Sequence, residues 1–169
     1  MQKVTVGDVE DVPHFMGANT VRKPLSRAID GMGFAMTYFE LEPGEAFSGG
    51  LHTHREQEEL FYVLSGTATF ETRETPDGES ESLEVSAGEA IHFEAGDVYQ
   101  TGRNEGTEGV VGFAVGVPGA RHEWDDVEAV VECSDCEKGT VHSVAPAEEG
   151  QRMPDGDVTI ACEECGRER

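Results

Sequence analysis

Two histidines separated by one residue, His52 and His54, precede a glutamate that opens an apolar run, in the stretch GGLHTHREQEELFYVLSG (49–66). Side chains alternate between the two faces of a β-strand, so both imidazoles project from the same face, with Cα atoms roughly 6.6 Å apart. Two imidazoles at that separation can bind one metal ion. Glu59, on the adjoining segment, can supply a third ligand, whereas Glu58 should face the opposite way. The spacing therefore predicts a metal site of two histidines and one carboxylate.

The same stretch resembles the first sequence motif of the cupin superfamily, which reads His-x-His, four residues, Glu, six residues, Gly. His52, His54, Glu59 and Gly66 stand at these positions. The resemblance covers about residues 34–118. It implies an all-β fold, a cupin jelly-roll barrel whose interior is divided between core and pocket.

The segment GEAIHFEAGDVYQTGRN (88–104) resembles the second cupin motif, which normally adds a fourth histidine ligand. It shares two glycines and an asparagine with that motif, Gly88, Gly96 and Asn104. Glu94 replaces the usual proline. The position of the usual histidine falls on Gln100 when counted back from the asparagine, and on Tyr99 when counted forward from the second glycine. We take Gln100 as the matching residue.

The resemblance implies a divalent transition metal held by His52, His54, Glu59 and Gln100. Two nitrogen and two oxygen donors, with positions left for water or substrate, suit Mn, Fe, Ni or Zn. The net charge at the centre would be about +1, because Glu59 offsets one charge of the ion. The alternative is a cupin without metal, in which the two histidines form hydrogen bonds in a polar pocket.

Large side chains on the predicted strands are candidates to line the pocket, each with core packing as the alternative. They are Met36, Tyr38, Phe47, Phe61, Tyr99 and Phe113. A buried tyrosine hydroxyl needs a partner and could contact a substrate. Arg103, one of the few cations, could bind an anionic ligand, although a surface ion pair is the simpler interpretation.

The other histidines are not predicted ligands. His92 alternates with Ile91 and Phe93, which should face inward, so His92 should face outward. Surface or structural positions are predicted for the remaining three, His14, His122 and His142.

Two Cys-x-x-Cys pairs, with 25 residues between them, lie in the C-terminal part of the chain: Cys133, Cys136, Cys162 and Cys165. Each pair can hold two corners of a tetrahedron, so the four thiolates together form a closed, structural zinc site. Predicted strands over 140–145 and 157–162, joined by the polar loop AEEGQRMPDG, make the segment resemble a zinc ribbon. Redox dithiols, a [4Fe–4S] cluster and a rubredoxin-like iron site are the alternatives.

A segment of this size buries too little apolar surface to fold alone, so metal binding should drive its folding. Nine acidic residues stand against four basic ones between positions 133 and 169, which opposes a nucleic-acid partner. The ribbon could instead dock on the barrel, mediate a dimer or bind a partner protein.

Short apolar runs separated by glycine-rich turns predict strands over 21–29, 33–42, 59–66, 67–74, 81–86, 89–95, 98–104 and 109–118. Helical periodicity is nowhere strong. A linker follows, with the change of composition near 120–130. The predicted organisation is a cupin β-barrel domain with an N-terminal extension over 1–125 and a zinc-ribbon-like unit over 126–169.

The chain carries 35 acidic and 12 basic residues, for a net charge of −23. Acidic residues are spread along the whole chain and lysines are few, which resembles proteins of extreme halophiles, where concentrated salt screens the repulsion. Such a charge disfavours nucleic acid as a partner. The N-terminus MQKVTVGDVEDVPHF lacks the apolar segment of a signal peptide, and no run is long enough to span a membrane. A soluble, cytoplasmic protein is predicted.

Two classes of function follow from these observations. The first is a metal-dependent enzyme, an oxidoreductase or dioxygenase, an isomerase or a hydrolase, in which the ion acts as a Lewis acid on a small molecule. The second is a non-catalytic module that binds or senses a small metabolite, with the ribbon mediating protein contacts. Metal storage is a weaker third class. Cupins commonly dimerise through edge strands, so the resemblance implies a homodimer.

Overall fold

The computed structural model describes residues 1–14, 16–120, 127–146 and 158–168. Its strands are β1 (Val21–Pro24), β2 (Ala35–Leu41), β3 (His52–His54), β4 (Glu58–Ser65), β5 (Thr67–Arg73), β6 (Glu81–Ser86), β7 (Ala90–Phe93), β8 (Tyr99–Arg103), β9 (Val110–Val117), β10 (Val127–Cys133), β11 (Lys138–Pro146) and β12 (Val158–Cys162). The helical segments are a 3-10 turn at Val6–Asp8 and α1 at Leu25–Ala28. His122, most of the predicted linker and the predicted loop over 147–156 lie outside the described residues.

The strands form two antiparallel sheets. One has five strands in the order β1-β2-β9-β4-β7, and the other has seven in the order β12-β11-β10-β3-β8-β5-β6. This arrangement confirms the predicted all-β jelly roll. Among the described residues, no helix is long and apolar enough to cross a lipid bilayer.

The core lies between the two sheets and is built by strict alternation along the strands. In β4, Glu59, Phe61 and Val63 are buried while the residues between them face outward. Phenylalanines from both sheets meet in the cluster Phe39, Phe47, Phe61, Phe70 and Phe93. Burial of one such side chain contributes about 1.5–3 kcal/mol, so this cluster dominates the packing of the barrel.

One glycine of the first motif is required by its backbone. Gly66 has a φ of +80°, and an added Cβ would lie 2.5 Å from the carbonyl oxygen of Gly109. Only glycine adopts that conformation without strain or a clash. Gly66 therefore makes the tight turn from β4 to β5, which fixes where β4 ends.

The first predicted strand, over 21–29, is wrong beyond Pro24. β1 ends at Pro24, and Leu25–Ala28 form one helical turn, closed by the hydrogen bond from the Ile29 amide to the Leu25 carbonyl. Proline has no N–H to donate to a strand ladder and fits the entry to a helical turn, so the strand stops there.

The C-terminal strands extend the barrel sheet. Val127–Ala129 of β10 pair with β3. On its other side, β10 pairs with β11 from Glu128 to Cys133, and β11 pairs in turn with β12. β10 therefore belongs both to the barrel sheet and to the unit that carries the cysteines.

Candidate metal centre

The strand that carries the two histidines is short and depends on β10 for its position. All three of its residues, His52, Thr53 and His54, are buried. Each of them pairs with β10, whereas the pairing with β8 is the single pair His52 and Gln100. The C-terminal unit thus supplies most of the backbone ladder that orients both imidazoles.

The structure brings His52, His54 and Glu59 together. Glu59 Oε2 lies 3.5 Å from His52 Nε2 and 3.4 Å from His54 Nε2, and all three donor atoms lie within 4.8 Å of one another. Two ligands that are each about 2.1 Å from one ion, at the tetrahedral angle, stand about 3.4 Å apart. The donor set and its spacing therefore fit a divalent transition metal. Glu58 faces outward and contacts His92, with its carboxylate 2.9 Å from His92 Nε2.

The hydrogen bonds and charges around the site prepare these donors for a cation. His52 Nδ1 donates to the Gly50 carbonyl at 3.0 Å, which leaves Nε2 as the ring nitrogen with the lone pair. Burial by itself would raise the pKa of Glu59. The charge of His54 and the contacts of Glu59 with both imidazoles outweigh burial and hold that pKa well below its ordinary value. The carboxylate is therefore ionised at neutral pH.

Gln100 reaches the site through its amide nitrogen. Nε2 donates to Glu59 Oε2 at 2.7 Å and lies 3.2 Å from His52 Nε2. Its Oε1 is buried and, within the described parts of the chain, has no hydrogen-bond partner. A half-turn of the amide would exchange the two atoms and direct the oxygen toward the histidines. Coordination by Gln100 stays a prediction.

The three donors form part of the wall of a cavity of about 170 Å³. This is smaller than the roughly 300–1,000 Å³ of pockets for drug-sized ligands, so the space suits a small metabolite. Phe47 and Phe61 line it, as predicted, and a contact of either with a substrate stays a prediction. Part of the apolar wall comes from the C-terminal strands, through Val127, Ala129, Val131, Val144 and Ile160.

Several predicted pocket residues do not line this cavity. Ala35, Thr37 and Phe39 line it, so Met36 and Tyr38 occupy the alternate, outer positions of β2. Tyr38 packs edge-to-face with Phe113 of β9, at a ring-centroid distance of 5.4 Å. The prediction that Met36, Tyr38 and Phe113 line the pocket is therefore wrong, because these side chains lie on the outer faces of their strands.

The two candidates on β8 also face away from the cavity. Tyr99 donates from its hydroxyl to Glu128 Oε2 at 2.6 Å, on the outer side of β10, and Arg103 is exposed. Gln100 faces the interior. Tyr99 and Arg103 are one and three positions from Gln100, so period-2 alternation places both on the opposite face of β8.

Three ionisable residues of the N-terminal part are among those that line the cavity without having been predicted there: His14, Arg22 and Arg27. Burial, followed by the positive charges of Arg22 and His52, lowers the pKa of His14 to about 4. His14 is therefore neutral at pH 7. No local sequence pattern marks these residues, because their place depends on how the N-terminal segment crosses the barrel.

The four cysteines form the second cluster. Cys133 Sγ lies 3.6 Å from Cys165 Sγ, and Cys136 Sγ lies 3.8 Å from Cys162 Sγ. These distances are too long for disulfides, and they match the spacing of about 3.8 Å expected for thiolates 2.3 Å from one zinc ion. The Thr140 hydroxyl, foremost among several hydrogen-bond donors, lowers the pKa of Cys162 to about 6, which favours the thiolate. The cluster fits a structural zinc ion.

The buried His142 lies outside both clusters, and its Nδ1 donates to the Thr140 carbonyl at 2.9 Å.

Comparison with known proteins agrees with this fold. Residues 37–116 match a family described as "Cupin_2: Cupin domain", and no curated protein matches the chain significantly. A sugar phosphate isomerase of the cupin superfamily from Silicibacter pomeroyi has a TM-score of 0.66 at 19% identity, covering 98% of this chain and 95% of that chain. A candidate sugar phosphate isomerase from Acidithiobacillus ferrooxidans has a TM-score of 0.60 at 21% identity, covering 95% and 88%. At these identities the likeness shows the fold alone. The family match and the fold together support the cupin superfamily for this chain.

Proposed function

We propose that this protein holds Mn, Fe, Ni or Zn at His52, His54 and Glu59 and acts on a small metabolite bound at that ion. The observation that carries the proposal is the convergence of three buried donor atoms within 4.8 Å at the wall of a cavity. Two buried imidazoles beside a buried carboxylate are costly to assemble unless they share a cation or a proton.

An ion bound there would act as a Lewis acid toward a carbonyl or hydroxyl oxygen of the metabolite. The protein contributes the orientation of the ligands: the Gly50 carbonyl fixes the His52 ring, and the ionised Glu59 offsets one positive charge. Phe47 and Phe61 supply apolar wall, which limits the water in the cavity. The names of the two structural neighbours make isomerisation of a sugar phosphate one case to include in an activity screen.

A non-catalytic module that binds or senses a metabolite is the second candidate. In the described lining of the cavity, Glu59 is the only carboxylate. Among these described lining residues, an acid–base group independent of the metal ligands would therefore be His14, which is uncharged at pH 7. The zinc-bearing strands would then mediate contacts with a protein partner.

Elemental analysis of the full chain, purified in high salt, tests the proposal. We expect a first-row transition metal beyond one zinc ion per chain. His52→Ala should lose the barrel metal and keep one zinc ion, with the fold near intact, because it removes one of three donors and leaves the cysteines untouched.

His92→Ala is the matched control, since this exposed histidine lies on β7, which pairs with the Glu59 strand β4, and contacts Glu58 rather than the cavity. It should keep both metals. Full occupancy of both sites in His52→Ala would contradict the ligand assignment. One zinc ion and no other metal in the wild type would favour the non-catalytic module.

A further inference from the structure

Arg22 and Arg27 place two guanidinium groups on the wall of the metal cavity, in a chain with almost three acidic residues for each basic one. Arg22 lies on the edge strand β1, and Arg27 lies on the helical turn that follows it. Two like charges at one small cavity repel each other, so a negative charge beside either arginine would stabilise their placement there.

The described residues place no such negative charge beside Arg22. Among the described residues no carboxylate forms an ion pair with it, and its side chain donates from Nη1 to the Val12 carbonyl at 3.1 Å. Burial, followed by the charge of Arg27, lowers the pKa of Arg22 to about 10, so the group still carries its charge at pH 7.

Other cations of the chain show the contrasting pattern. The neighbouring Lys23 forms an ion pair with Asp11 at 3.2 Å, Arg73 pairs with Glu71 at 2.8 Å, and Lys138 pairs with Glu164 at 2.8 Å. With so many carboxylates available, an arginine at the cavity without one indicates that an anion from solution takes that place.

The arginines and the metal ligands share one space. His14 lies on the same wall and is close enough to both Arg22 and His52 for each charge to act on it. An added Cβ at Gly49 would lie 2.6 Å from His14 Cε1, so a bare backbone is needed for this imidazole to pack there. A ligand in this cavity therefore has both the arginines and the metal donors on the surrounding wall.

We propose that Arg22 and Arg27 form an oxyanion subsite for a phosphate monoester, whose other end binds at the metal. This inference rests on the proposed function for the role of the metal. A phosphate ester carries about −1.5 to −2 charges at pH 7, so beside Arg27 it offsets the charge of Arg22 more fully than a single carboxylate would. Their planar N–H groups match the oxygens of a phosphate in pairs.

The test titrates inorganic phosphate into the full chain by calorimetry, in the His52→Ala background, where phosphate cannot bind to a barrel metal. We expect His52→Ala to bind phosphate. Adding Arg22→Gln or Arg27→Gln should weaken that binding about tenfold or more, as for the loss of a charge-assisted contact. Lys23→Gln is the matched control, because Lys23 contacts the same N-terminal segment through the Val9 carbonyl but does not line the cavity.

Unchanged phosphate affinity in both arginine variants, or an equal loss in Lys23→Gln, would overturn the subsite. So would the absence of phosphate binding in His52→Ala. Tighter binding of malonate than of phosphate, dependent on the arginines, would overturn the choice of a phosphate ester. Metal content separates the phosphate subsite from the proposed function. The single arginine variants in the wild-type background should keep the barrel metal. A wild type without the barrel metal would refute the proposed function but not the subsite.

Discussion

We expect Gln100 to influence how strongly the barrel site holds a cation. In the structure its amide nitrogen donates to Glu59, which holds the carboxylate in place but presents no lone pair to an ion. An amide oxygen turned toward the site would still be a neutral ligand, weaker than an imidazole. A site with two strong nitrogen donors and one carboxylate should therefore exchange its metal more readily than one with three histidines.

Replacement of Gln100 by histidine should tighten metal binding by about tenfold or more, roughly 1.4 kcal/mol. The new imidazole would stand at the residue paired with His52 and could complete the ligand set. Competition with a chromophoric chelator measures the affinity.

Tyr99→His is the control, because position 99 is the alternative match in the second motif and its side chain faces Glu128 on the outside. It should leave the affinity unchanged. Equal affinities of the wild type and Gln100→His would place residue 100 outside the coordination sphere.

At the scale of elements, β10 connects the two metal sites. Its first residues hold the histidine strand, and its last residue, Cys133, is one of the four cysteines. Since zinc binding drives the folding of small cysteine units, the order of β10–β12 should depend on the four-cysteine cluster.

Cys162→Ser should therefore unfold the C-terminal strands, which limited proteolysis would detect as rapid loss of the tail. The same variant should also lose barrel metal in elemental analysis, because β3 would lose the ladder that orients its imidazoles. Ser143→Ala, an exposed change on β11, is the control and should stay resistant. A protease-resistant tail in Cys162→Ser would contradict the role of zinc.

The sequence predicted those parts of the site that depend on local spacing. Two histidines on one strand must share a face, and Glu59 must face opposite to Glu58, so period-2 geometry was sufficient there. Which face of β2 and of β8 points into the barrel was not predictable in this way. Alternation alone does not say whether Tyr38 and Arg103 face inward or outward, because the packing of the strands decides that.

The contributions of distant segments were also beyond local patterns. The pairing of β10 with β3 joins residues more than seventy positions apart, and the presence of Arg22 at the cavity depends on how β1 packs against β2. Such contacts are set by the closure of the whole barrel, so the sequence indicated a ribbon but not its place in the sheet.

At the scale of the whole molecule, the net charge of −23 makes the folded state sensitive to ionic strength. Raising KCl from about 0.1 M to about 1 M shortens the screening length from about 10 Å to about 3 Å, which weakens repulsion among the surface carboxylates. We expect the melting temperature to rise by about 5 °C or more, equivalent to about 1–2 kcal/mol.

Calorimetry at several KCl concentrations measures this effect, with sucrose as a control for changes in hydration that do not screen charge. A melting temperature that is independent of KCl would contradict the interpretation of the acidic surface as an adaptation to salt.

The place of β10 beside β3 has a consequence for any shortened form of this protein. A chain that stopped before Val127 would keep every barrel ligand, yet β3 would be left with one paired residue on one side and an open backbone on the other. Open backbone edges recruit strands from other molecules. We therefore expect trimming of the tail to exchange the barrel metal site for self-association, although none of the removed residues is a proposed ligand of that site.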